Sequence, residues 1–140
     1  MYPTNLSHKP IVCVDNYDAV DGMYAGNSDA KALSIGRAQY DKNHISAKVF
    51  RHTGAQWSPQ SEELPLHRVL DLASLIASLY YLQGAPSPIG NYHKTHANHL
   101  PPHIVSNNDM ADLYAYLDTY DDILRPRLKE LKDLLNGLTI

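Results

Sequence analysis

The sequence predicts an α+β fold: a single helix-rich domain over residues 1–140, with a small two- to three-stranded sheet packed on a central buried helix. Three observations carry this expectation. From Trp57 to Leu82 the chain reads WSPQSEELPLHRVLDLASLIASLYYL, and from Leu66 on it is apolar on nearly every side, the pattern of a buried helix. The runs IVCV at 11–14 and HISAKVFRH at 44–52 are rich in β-branched residues or alternate with period two, as strands do. From Asn108 onward, leucines recur at steps of three and four, the stripe of an amphipathic helix.

Composition narrows the partners. A chain of 140 residues with 44% hydrophobic and 19% charged residues is ordinary for a globular protein and long enough to bury a core without disulfides. A net charge of −3 argues against a general phosphate-backbone binder, though it leaves room for a small local basic patch, so no nucleic-acid partner is expected. The single cysteine, Cys13, permits no disulfide framework and reads as a buried thiol within its apolar run. The first residues, MYPTNLSHKP, lack the basic-then-apolar order of a secretory signal. His67, Arg68 and Asp71 in the first turns of the long apolar run would be costly in lipid. No membrane partner is therefore expected, and the chain reads as cytoplasmic.

Taken in order, Pro10 to Asp15 is the first strand. Asp15 falls at its carboxyl end, where it is either a working residue or, with Asn16, a turn former. Residues 17–27 are turn-rich, and Asn27 or Ser28 can cap a helix from about Asp29 to Tyr40. Gly36 inside that helix would allow close approach of another element. The first strand, this helix and the second strand would then make a strand–helix–strand crossover. In the second strand Ile45, Ala47 and Val49 form the expected buried face, with Phe50 out of phase. The central helix should run from about Pro65 to Gly84, with His67, Asp71, Ser74 and Ser78 as one narrow polar line. Residues 84–107 form a long loop containing His93, His96, His99 and His103, and loops of that length usually carry function. Residues 108–138 form a kinked C-terminal helical segment. Its acids precede its bases, Asp121 and Arg125 sit at pairing distance, and Pro126 should kink or split it.

The stretches DAKALSIGRAQYD and SAKVFRHTGAQWSPQSEELPLHRVLDLA resemble the signature segments of a small bacterial protein family of unknown function. The resemblance covers about the first half of the chain and implies no activity, cofactor or catalytic residue.

Function is read from what the chain has and lacks. No phosphate-binding loop, dinucleotide fingerprint or zinc-protease helix occurs in it, so no cofactor is specified. The leading expectation is a non-catalytic module that binds a partner or assembles with itself, as a homodimer. The aromatic surface of Tyr114, Tyr116 and Tyr120 favours such an interface. The rival is a small enzyme or a binder of a small anionic ligand, built from Arg51, His52, Ser61, His67, Arg68 and Asp71. Arginines beside a helix N-terminus suit an anion, though Glu62 and Glu63 compete for the same charges. His67, Asp71 and Ser74 project in parallel from one helix and do not converge as a triad. A third reading has His93, His96 and His99 holding a divalent metal as neutral imidazoles.

Overall fold

A computed structural model describes residues 1–84 and 102–140 of the chain. It contains two compact units, residues 1–72 and residues 73–140.

The first unit is built on β1 (Lys9–Asp15), β2 (Ala30–Arg37), β3 (Ile45–Arg51) and β4 (Glu63–Pro65), in one antiparallel sheet of order β1-β2-β3-β4. The α+β class holds, but the sheet has four strands instead of two or three. The helix expected over 29–40 is β2, so the crossover is replaced by a meander. The reason lies in side-chain size. Ala30, Ala32, Ser34 and Gly36 alternate on the buried face of β2, while Lys31, Leu33, Ile35 and Arg37 occupy the other. Small residues on one side hide a period of two. Gly36 does serve close approach, of β1. A Cβ there would collide with the Lys9 carbonyl, which a register shift between Pro10 and Val12 brings inward.

The inner face of this sheet holds the core. Phe50 is fully buried, in a cluster with Leu6 and Ala32, and Cys13 and Trp57 pack against it half-buried. Its ring meets His8 and Trp57 edge-on, at centroid distances of 5.5 and 6.1 Å. Trp57 therefore anchors the end of β3, bridging to His52. Beyond β1, Asn16 takes a left-handed conformation (φ 58°) that opens a 3₁₀ turn over Tyr17–Ala19. Asp15 accepts a hydrogen bond from the Met1 amine at 2.9 Å. Both residues turn or tether the chain.

Helix α1 (Leu66–Gly84) begins and ends where the sequence places it. It is not, however, the buried centre. Leu66, Val69, Leu70, Leu72, Leu75 and Ile76 are all more than a third exposed, and among residues 66–80 only Ser78 is buried. The inner face of the sheet is filled instead by Phe50 and by the segment that precedes β1, which delivers Leu6 and His8 to it.

In the second unit the C-terminal segment divides into α2 (Met110–Thr119) and α3 (Asp121–Asn136). The break falls at Tyr120, whose backbone leaves the helical region, and not at Pro126. Two acids at the new helix start, Asp121 and Asp122, favour its positive end. Helix α3 runs through Pro126, and the Arg127 guanidinium donates to the Ile123 carbonyl at 2.9 Å within the turn that the proline disturbs. The Asp121–Arg125 pair forms as expected, at 2.8 Å. Arg125 also lies over the Tyr80 ring of α1, 5.4 Å from its centroid, while Leu75 and Leu79 of α1 share a cleft with Met110 and Leu113 of α2. Among the described residues no helix is long and apolar enough to cross a membrane.

These burials rank the core. Phe50→Ala should cost about 3–5 kcal/mol, the range for a buried aromatic truncated to a cavity. Leu72→Ala, half-exposed at 50%, should cost clearly less. Urea denaturation of both variants checks the order, and equal losses would return α1 to the centre of the fold.

Candidate functional site

The sheet has two unlike faces, and the unusual one is inside. Cross-strand pairing sets Ser34 beside Lys48, Gly36 beside Ser46 and Lys48 beside Glu63, all on the inner face. His8 completes the group from the chain before β1. Its Nε2 lies 2.9 Å from Ser34 Oγ and its Nδ1 3.0 Å from Ser46 Oγ. A neutral ring donates from one nitrogen and accepts at the other, and each hydroxyl can take either role. Glu63 Oε1 stands 3.4 Å from Nδ1, which favours the proton on that nitrogen. Lys48 Nζ donates to the Ser61 carbonyl at 3.2 Å and lies 3.7 Å from the same carboxylate oxygen. The other carboxylate oxygen accepts the Gln39 N–H at 2.9 Å.

Lys48 and Glu63 are thus desolvated and face each other as an ion pair, although Glu63 Oε1 makes no hydrogen bond among the described residues. His8 is fully buried, and Lys48 retains only 3% of its surface. Removing either charged partner would leave the other buried without compensation. Burial holds the His8 imidazole below its ordinary 6.5; Glu63 pulls it back up and Lys48 presses it down. Ser34, His8 and Glu63 stand in the hydroxyl–imidazole–carboxylate order of an activated nucleophile. Ser34 is only 4% exposed, however, so its hydroxyl lies under the chain and not at the surface. The cluster is a polar core.

The outer face is apolar. Val12 and Val14 from β1, Leu33 and Ile35 from β2, Ala47 and Val49 from β3, Leu64 from β4 and Val69 from α1 line a cleft of about 470 Å³. Val12 is 62% exposed, Val14 53% and Ile35 39%. Antiparallel sheets with one wet face normally turn apolar residues inward and polar ones outward. Much of that order is reversed here.

The residues singled out in the sequence do not gather into one site. Arg51 lies at the end of β3, forked onto Glu62 at 2.7 and 2.9 Å and also bonded to Asp29. The hydrogen bond to Glu62 above all raises the Arg51 pKa and lowers that of Glu62. His52 sits edge-on to Trp57 at 4.9 Å, its Nδ1 accepting the Gly54 N–H at 3.1 Å. Ser61 contributes its carbonyl to Lys48. His67, Arg68 and Asp71 are exposed on the first turns of α1. His93, His96 and His99 lie outside the described residues. Among the described residues no three metal-binding side chains converge.

His8, Ser34 and Ser46 were not expected from the sequence, and Lys48 and Glu63, visible there as neighbours of the arginine cluster, turn instead to the inner face. A signal for two of them was present, because Phe50 shares its phase in β3 with Ser46 and Lys48. Weighing the one large aromatic over the smaller Ile45, Ala47 and Val49 gives the correct inner face. Nothing comparable marks His8, which lies outside any periodic segment.

Residues 1–140 match a family model described as "Family of unknown function (DUF6530)". No curated protein and no solved structure matches the chain.

The buried imidazole makes stability depend on pH in a definite direction. A histidine whose folded pKa lies below its unfolded value binds fewer protons folded than unfolded between those two values. Its stabilisation is complete above about 6.5 and lost as pH falls below it. The urea midpoint of the wild type should therefore drop between about pH 7 and pH 5, and His8→Gln should flatten that decline. An unchanged slope in the variant would assign the proton to another group.

Proposed function

We propose that this chain, which belongs to the DUF6530 family of unknown function, is a non-catalytic binding module whose working surface is the apolar outer face of its sheet. The observation that carries the reading is the reversed polarity. The sheet gives part of its buried side, beside the Phe50 cluster, to a polar network and leaves valine, leucine and isoleucine on a cleft of about 470 Å³. That volume lies within the range of ligand-binding clefts, and contiguous exposed apolar surface marks sites of interaction.

The alternative, an enzyme or anion binder at Arg51, His52, Ser61, His67, Arg68 and Asp71, has less in its favour. Arg51 already satisfies two carboxylates, so its fork has little capacity left for an anionic ligand. His67, Arg68 and Asp71 stand exposed on the first turns of α1.

The reading is tested with a neutral apolar probe, Nile red, at nanomolar protein, where any self-association is diluted away. Wild type should bind the dye saturably, and Ile35→Asp should weaken binding at least about tenfold, the equivalent of 1.4 kcal/mol. His67→Ala should bind as wild type does. Equal binding by wild type and Ile35→Asp would remove the outer face from consideration.

A further inference from the structure

We infer that the outer sheet face is occupied by a second copy of the chain, the two sheets packed face to face with their strands running in opposite directions. The inference rests on the reading of that face as the working surface and adds its partner.

Charge is the first argument. At one end of the face Lys9 and Arg37 are cross-strand neighbours. Lys9 Nζ donates to the Thr4 carbonyl at 2.9 Å and an Arg37 guanidinium nitrogen to the Lys42 carbonyl at 3.3 Å. Neither has a carboxylate partner among the described residues. At the opposite end Asp29 and Glu62 both pair with Arg51, which leaves one negative charge in excess. A two-fold axis lying in the interface and crossing the strands lays the basic end of each copy over the acidic end of the other. The alternative two-fold, along the strands, superposes like ends, and like charges across an interface are costly. The centre, around Leu33 and Ile35, carries no charge.

Shape and area agree. Sheets pack face to face about 10 Å apart through interlocking side chains of this kind. β1, β2 and β3 run to seven or eight residues and β4 to three, so the three long strands alone give a face of roughly 23 by 14 Å, which β4 widens at one edge. Side-chain relief and the adjoining Leu66 and Val69 on α1 bring it toward the roughly 800 Å² per partner of a standard interface. An isologous pair is also the commonest closed assembly.

Sedimentation velocity at tens of micromolar protein provides the test, on wild type, Ile35→Asp and Arg37→Glu. Both substituted side chains are exposed, and far-UV circular dichroism confirms that each variant folds. Wild type should sediment with twice the chain mass. Ile35→Asp should be monomeric, and Arg37→Glu should dissociate about tenfold more readily at low salt, with the difference shrinking as salt is added. A wild-type monomer that still binds Nile red overturns the second copy and leaves the binding face standing. A dimer untouched by Ile35→Asp places the interface elsewhere and overturns the inference. A monomer that binds no dye removes both.

Discussion

The contact on which the rest of the first unit depends is His8 seated between Ser34 and Ser46. One imidazole joins a chain segment outside the sheet to hydroxyls on two neighbouring strands, both within 3.0 Å. That seat exists only because β2 presents Ala30, Ala32, Ser34 and Gly36 inward. Larger side chains there would fill the space that the imidazole, Phe50 and the Lys48 stem occupy. The same smallness draws β1 against Gly36, so the register shift in β1 and the depth of the inner face share one cause.

Putting a lysine and a glutamate inside has a consequence for the outside. Apolar burial is the main favourable term in folding, and this sheet gives much of its inner face to polar groups that gain little net stability from one another. The apolar residues it does have lie largely on the outer face, where burial by a partner would contribute what the inner face forgoes. The inner network and the outer cleft are therefore two sides of one partition of side chains along β2 and β3. A slip of one residue in either strand would exchange them. Buried hydrogen bonds that fit only one register oppose that slip, which makes the polar core a lock on the geometry of the apolar surface.

The sequence was legible where periodicity was carried by large residues. The ends of α1 and the strand at Ile45–Arg51 follow from it, and the Asp121–Arg125 pair follows from its i,i+4 spacing. Legibility failed where side chains were small or out of phase. Ala30 to Gly36 reads as a helix by propensity because alanine favours helices in isolation, yet pairing with β1 and β3 overrides that weak preference. The apolar α1 reads as a core helix because an all-round hydrophobic pattern normally is one. Its exposure in the structure could not follow from its own residues, since burial belongs to what surrounds a helix. Of the candidate site, Arg51 and its competitor Glu62 were visible in advance and do pair, whereas the second partner, Asp29, was not. The buried cluster was not visible as a unit, because its five members lie on four separate stretches that only the sheet register assembles.

The C-terminal segment shows the same rule from the other side. Proline was expected to decide where its helix divides, because it removes a donor and crowds the carbonyl of the preceding turn. The division falls at Tyr120 instead, six residues earlier, where Asp121 and Asp122 can meet the positive end of a new helix. Pro126 then comes in the second turn of α3, where it still costs the bond to the Asp122 carbonyl. Arg127 supplies a guanidinium donor to the neighbouring Ile123 carbonyl, so a side chain satisfies backbone in the turn that the ring disturbs. A break four residues later would have placed the aspartates inside a helix, away from the end that favours them, and separated Asp121 from Arg125. The aspartates and their arginine fix the helix start, and the proline is accommodated within it.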